Sequence, residues 1–393
     1  MAERVTLGAR LDALLKRATD VGDVPGVVAM ATADGSTIYE GAFGTRRLGA
    51  AKPMALDSVM WIASMTKPVT AVAAMQLVEQ GRVQLDEPAA RWAPDLGKVQ
   101  LLEGFDANGT PRLRPPRRPI TLRHLLSHTS GHGYGMWNPE LARYVEQTGL
   151  PGTMTCQNAA LALPLLFEPG ERWNYGISME WAGKVIEGAS GLRLGDYLRK
   201  NLFEPLGMHS TGFRITKEMR KRMSRLHERD ADGNLTAGDF EVPQEPEFEL
   251  GGGGLYSTAP DFLAFMRMVL GFGTANGHRV LKPETLERLS RNQLGDLRVG
   301  RMVTTNPLRS NDVEFFPGVA KAWGLGFMIN LEAAPTGRSA GSLAWAGLTN
   351  CYFWIDPARN VGGLCLTQIL PFADVKALPL FLEFETEIYR SLN

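Results

Sequence analysis

Runs of β-forming residues stand near both ends of the chain with a long, mostly helical stretch between them, and this separation constrains the fold most. Near the start, 27–32 and 37–43 flank Ala33-Asp34-Gly35-Ser36, a hairpin signal. Near the end, 323–331, 342–346, 352–355 and 361–369 are further candidate strands. An amphipathic segment opens the chain, and helices are predicted at 66–80, 122–127, 178–189, 194–201, 260–269 and about 374–391. The segments 106–119 and 149–155 read as loops. Strands at both termini with helices between predict an α/β (α+β) fold whose two ends pair into one antiparallel sheet flanked by helices. An all-helical lobe is then inserted in the middle. The expected division is a sheet domain of 1–85 with 250–393 and a mainly helical domain of 86–249, with the active site in the cleft between them.

Charge and cysteine usage exclude several roles. Lys plus Arg and Asp plus Glu are 42 each, so no net field recruits nucleic acid or an anionic membrane. The basic cluster 112–118 is interleaved with Pro111, Pro115, Pro116 and Pro119 and reads as a solvated loop. No run of about 18 apolar residues spans a bilayer, and the opening segment lacks the apolar core of a signal peptide. Cys156, Cys351 and Cys365 are odd in number and widely spaced, which argues against a disulfide framework or a zinc site. A soluble, cytoplasmic protein is expected, with its oligomeric state open.

The chemistry centres on Ser64-Met65-Thr66-Lys67, where a loop opens into the Ala/Val/Met-rich helix 66–80. Ser and Lys three apart at a helix start share one face, one turn apart. A serine hydroxyl is a poor nucleophile until a base accepts its proton, and a desolvated lysine can be that base. Chance alone would place a fraction of one such pair in this chain, so the motif needs a second element. Trp173-Asn174-Tyr175-Gly176 supplies it: a tyrosine in a Gly-flanked loop can point into a cleft and relay a proton to a leaving group.

Four motifs then stand in a telling order: Ser64-x-x-Lys67, LRHLLSHTSG (122–131), Tyr175-Gly176-Ile177 and Trp345-Ala346-Gly347. The chain resembles class C β-lactamase-like serine hydrolases, and more specifically their esterase relatives, the family VIII carboxylesterases. The stretches LLEGFDANGTPRLR (101–114) and WNYGISMEWAGK (173–184) are similar to the fungal acyltransferases of lovastatin-type polyketides. The resemblance spans about 25 to 390. It implies a β-lactamase/transpeptidase-like fold, Ser64 as nucleophile, Lys67 as base and Tyr175 as partner in proton transfer. It also implies an oxyanion hole from the backbone N–H groups of Ser64 and Leu348. Tyr134, Trp173, Ile177, Trp345, Ala346 and Gly347 are the implied substrate-binding positions. No metal or organic cofactor is required.

Two departures shift the expected substrate. Trp345 stands where β-lactamases and peptidases keep a cation that grips a carboxylate, and an indole cannot make that ion pair. Ile177 replaces an asparagine. Both point to a small-molecule carboxylic ester, short-chain or apolar, with acyl transfer to alcohols and weak β-lactam hydrolysis as side activities. A dedicated acyltransferase on a polyketide-like alcohol, a β-lactamase or D,D-peptidase, and a non-enzymatic scaffold are the alternatives. Three decoys are set aside. Gly337-Arg338-Ser339-Ala340-Gly341 matches a nucleophile elbow but lacks the strand before and the helix after. His124, His128 and His132 lose a common helical face at Thr129-Ser130-Gly131. The glycines 251–254 have no following Lys-Ser/Thr and read as a sharp turn rather than a phosphate loop.

Overall fold

The central strands are buried along their whole length, and the layers on either side explain why. The computed structural model describes residues 6–392; residues 1–5 of the opening amphipathic segment lie outside the described residues. Helix α1 (Leu7–Asp20) leads into a hairpin of β1 (Gly26–Ala33) and β2 (Ser36–Gly44). Asp34 and Gly35 both take positive φ in its turn, as a two-residue Asp-Gly connection requires. From the far end of the chain come β3 (Lys321–Trp323), β4 (Met328–Asn330), β5 (Leu343–Gly347), β6 (Cys351–Asp356) and β7 (Val361–Leu366). Together they form one antiparallel sheet in the order β3-β4-β5-β6-β7-β1-β2. Val28 lies opposite Leu366 and Ala33 opposite Val361, so the two chain ends meet inside the sheet as the sequence predicts.

Helices cover both faces. Helix α2 (Thr66–Glu79) is buried from Thr66 through Leu77 and packs on α3 (Ser178–Ser190). Its apolar residues run all round, the pattern of a core helix rather than a surface one. On one face of the sheet Phe262 of α4 (Ala259–Leu270) meets Phe353 at 5.1 Å. On the other, Phe381 and Phe384 of α5 (Ala377–Ser391) pack at 5.9 and 6.0 Å on Trp354. Consecutive residues of β6 thus point into different layers, and strands buried on both sides need apolar residues at every position.

Three expectations change. The run 323–331 is two strands, because Gly324 and Gly326 turn the chain between β3 and β4 and Gly326 sits at φ +95°. The run 361–369 ends its ladder at Leu366, and Ile369–Leu370 leaves to pair in parallel with His227–Arg229. The middle of the chain is not all helical: Leu101–Phe105 pairs with Pro111–Arg114, and His227–Arg229 with Leu235–Ala237. Part of the predicted loop 106–119 is therefore a strand, entered through a turn in which the Asp106 carboxylate accepts from the N–H groups of Asn108 and Thr110.

Candidate active site

Ser64 is carried on a strained turn held from behind. Met60–Trp61 pairs with Tyr256–Ser257, which brings the chain up to Ser64. The Gln368 side-chain amide holds Trp61 at both ends: it accepts from the Trp61 N–H at 3.2 Å and donates to the Trp61 carbonyl at 3.0 Å. Thr349 Oγ1 donates to that same carbonyl at 2.9 Å. Ala63 then takes φ +44°, a left-handed conformation that disfavours any residue with a Cβ and is kept only where the surroundings enforce it. A single 3-10 turn, Ala63–Met65, presents Ser64, and α2 begins at Thr66. Ser64 itself is only half-buried.

Lys67 lies fully buried one turn on. Its Nζ is 3.1 Å from Ser64 Oγ, 3.2 Å from Tyr134 Oη and 2.6 Å from the Gly252 carbonyl oxygen. A neutral amine has two donor hydrogens and one lone pair, so it can donate to Gly252 and Tyr134 while accepting the Ser64 hydroxyl proton. Burial pulls the ammonium down from its ordinary value, to about 8, against an opposing pull from the buried carboxylate of Glu180. The glycine run supplies this anchor. The Gly251 carbonyl takes Thr70, that of Gly252 takes Lys67, and that of Gly253 takes the Trp61 indole N–H.

Tyr175 faces the same serine, with its ring centre 4.6 Å from Lys67 Nζ. Burial pushes its phenol well above the ordinary value, while hydrogen bonds with Ser64 and Trp345 oppose that shift. Trp345 Nε1 donates to Tyr175 Oη at 2.9 Å. Lys67 and Tyr175 are thus pushed in opposite senses, an amine made easier to deprotonate and a phenol kept protonated.

Aromatic rings surround Tyr175. Trp345 and His128 lie at 4.8 Å, Tyr134 at 5.4 Å, Trp137 at 5.6 Å and Trp323 at 6.2 Å from its ring centre. Trp173 joins through Trp323 at 5.8 Å. A strap from the chain around Thr305 closes over this side: Thr305 N–H donates to the Met136 carbonyl, and Trp137 Nε1 donates to Ser310 Oγ at 3.2 Å.

The remaining predicted positions divide. A Cβ on Gly347 would overlap the Ile62 carbonyl oxygen, so the end of β5 runs directly against the turn that carries Ser64, with half-buried Leu348 next in line. Trp345 and Ala346 alternate along β5, so Ala346 turns its Cβ to the opposite sheet face and can meet a ligand only through its backbone. Ile177 is sealed with Leu141 and Leu163 in a small apolar cluster beneath Tyr134, where it supports the tyrosine and has no ligand-facing surface. Glu180, Gln368, Thr349 and Trp323 were not singled out by the sequence. Only the repeated tryptophans give any signal, and it does not say which of them meet.

The decoys resolve structurally. Arg338 forms a buried pair with Glu385, which also takes the Thr336 hydroxyl, so the Gly337–Gly341 turn is pinned by an ion pair rather than built as an elbow. His124 Nδ1 accepts from Thr121 N–H at a helix start, His128 lies against Tyr175, and His132 Nδ1 meets Ser130 Oγ at 2.9 Å. Among the described residues no helix is long and apolar enough to cross a membrane.

The beta-lactamase family model matches residues 11–383. A lovastatin esterase of Penicillium rubens is 32% identical over 401 residues, 98% of each chain. A monacolin J acid methylbutanoyltransferase of Aspergillus terreus is 32% identical over 398 residues, 96% of this chain and 95% of its own. Among solved structures, the unliganded selenomethionyl simvastatin synthase of Aspergillus terreus superposes with a TM-score of 0.87 at 30% identity, covering 98% of this chain and 99% of its own.

Proposed function

The chain belongs to the beta-lactamase family, and from that premise we propose that it is a serine ester hydrolase and acyltransferase working through a Ser64 acyl-enzyme. The carrying observation is the buried Lys67 Nζ, 3.1 Å from Ser64 Oγ and anchored at 2.6 Å on the Gly252 carbonyl. In the first half-reaction Ser64 Oγ bonds to the ester carbonyl carbon and its proton passes to Lys67. The backbone N–H groups of Ser64 and Leu348 take the oxyanion; such donors are typically worth about 3–4 kcal/mol each. As the C–O bond breaks, Tyr175 gives its proton to the leaving alkoxide and recovers one from Lys67. In the second half-reaction water or an alcohol attacks the acyl-enzyme by the same steps reversed, releasing Ser64.

The substrate class follows from the surroundings. Trp345 spends its only polar hydrogen on Tyr175 and offers nothing to a carboxylate, which disfavours β-lactams and peptides. Tyr134, Trp137 and Trp173, all half-buried, suit an apolar acyl or alcohol group. The relatives are named for an ester and for acyl transfer to a polyketide acid, and we read this chain as acting on esters of bulky, apolar alcohols, in either direction. The site then lies between a sheet body, 1–85 with 250–393, and a mainly helical body, 86–249. The buried free cysteines suit a cytoplasmic setting. Incubating the protein with a p-nitrophenyl ester and a competing long-chain alcohol tests the reading. New ester alongside free acid, both lost in Ser64→Ala, is expected. Undiminished turnover in that variant overturns it.

A further inference from the structure

One buried charge has no part in the steps above. Glu180 sits in the first turn of α3, its carboxylate fully buried and one oxygen, Oε2, without a hydrogen-bond partner among the described residues. The other oxygen accepts a long hydrogen bond, 3.5 Å, from Tyr134 Oη, the same hydroxyl that receives Lys67 Nζ at 3.2 Å. The carboxylate also lies flat against Gly252: a Cβ there would stand 2.5 and 2.6 Å from its two oxygens. Only glycine lets one residue press on Glu180 while its carbonyl holds Lys67. Burial pushes this carboxyl up from its ordinary value and Lys67 opposes that shift, so the anion persists only with a cation to compensate it.

The groups that act on Glu180 come from several elements. Lys67 reaches it from α2, Tyr134 from the loop after His132, Tyr175 from the turn before α3, and Cys156 lies close enough to feel its charge. Burial raises both phenols and the thiol, which keeps them uncharged. His128 and His132 are held neutral by burial. Among the described groups facing Glu180, Lys67 is therefore the one that supplies positive charge.

We propose that Glu180 is a positioning residue for the base: walled in against Gly252 and linked through the Tyr134 hydroxyl, its carboxylate holds the Lys67 amine at Ser64 and sets the pH at which that amine can accept a proton. The inference rests on the acyl-enzyme reading above. The sign is fixed by charge. An adjacent anion favours the ammonium, so removing it lets Lys67 deprotonate at lower pH. Lys67 Nζ and Glu180 Oε1 lie 3.2 and 3.5 Å from the same Tyr134 hydroxyl, and an opposite charge within about 4–6 Å moves such a group by about one unit or more.

The test is the pH dependence of kcat/KM for p-nitrophenyl acetate in wild type, Glu180→Gln and Glu180→Asp, with melting temperatures beside each. In E180Q the acid limb should move down by about one unit, so the rate at pH 6 relative to the plateau rises roughly tenfold, while the plateau itself falls because a weaker base remains. E180D, which keeps the charge but withdraws it by one methylene, should fall between the two. A folded E180Q with reduced plateau and an unmoved limb would mean a purely structural carboxylate and refute the proposal. If E180Q does not fold, E180D decides: a downward shift of a few tenths supports the proposal and an unmoved limb refutes it. Absence of Ser64-dependent turnover in the wild type would remove the parent reading as well, whereas wild-type turnover with unmoved limbs removes only the role of Glu180.

Discussion

Replacing Gly347 by alanine tests the alignment of β5 with the nucleophile turn. The added Cβ would overlap the Ile62 carbonyl oxygen, two residues before Ser64, and would stand 3.4 Å from Cys351 Cβ. Both neighbours are backbone or buried strand, so neither can swing aside as a flexible side chain would. Relieving the overlap needs a separation of about 1 Å between β5 and the turn, given normal carbon–oxygen contact. That displacement moves the Leu348 N–H away from the oxyanion position proposed beside Ser64. A misplacement of about 1 Å costs roughly 100-fold, and outright loss of one oxyanion donor roughly 100- to 1,000-fold, or about 3–4 kcal/mol of transition-state stabilisation. Overpacking should also lower stability by about 1–3 kcal/mol. The assay is kcat and KM for p-nitrophenyl butyrate beside a denaturant melt. We expect kcat to fall about 100-fold with KM nearly unchanged and the protein still folded. A folded variant with kcat within threefold of wild type would show that β5 contributes no donor at this end, and the oxyanion assignment would fall.

Further perturbations probe other parts of the account. In wild type, kcat/KM should rise with pH through about 8, where Lys67 loses its proton, and fall about tenfold per unit below it, because the ammonium cannot accept the Ser64 proton; a flat profile from pH 6 to 9 would contradict the base assignment. Trp345→Phe removes the donor to Tyr175 Oη while keeping the ring, and should cut kcat about tenfold with little change in melting temperature, the size of one lost hydrogen bond to a reacting group; unchanged kcat would mean the indole only packs. Glu385→Ala leaves Arg338 buried without its partner and should destabilise by about 3–5 kcal/mol in a urea titration, whereas Ser339→Ala should alter neither stability nor turnover. Loss of activity in the Ser339 variant would revive the elbow reading.

What the sequence disclosed depended on the range of the interaction. Ser64 and Lys67 are three residues apart on one turn, so their meeting is set locally and was readable. The pairing of the two chain ends was readable too, because isolated strand runs at opposite termini have one economical solution in a single sheet. The partners of Tyr175 were less accessible. Its tie to Trp345 depends on the register of β5, which places Trp345 opposite Phe353 and only then fixes which face the indole takes. Ile177 follows Tyr175 by two and looked like a cleft residue, but helix α3 starts at Ser178 and turns it into the apolar cluster under Tyr134. Glu180 was invisible for a different reason. In WNYGISMEWAGK it resembles any acidic residue in a first helical turn, where charge normally faces solvent. Its contacts with Gly252 and Tyr134, both distant in the chain, are what show it buried. The hairpin after Gln100 was hidden because Asp106 to Gly109 read as turn chemistry and masked the strand beyond it.

The central claim is that Ser64 becomes acylated and that Lys67 and Tyr175 move its proton. Intact-protein mass spectrometry tests it most directly, after rapid mixing of wild type, Ser64→Ala, Lys67→Ala and Tyr175→Phe with a short p-nitrophenyl ester at pH 8. An added acyl mass is expected on the Ser64 peptide in wild type, none in the Ser64 variant, and strongly slowed appearance in the other two. Acyl mass on another residue, or an adduct that persists unchanged in Ser64→Ala, would contradict it.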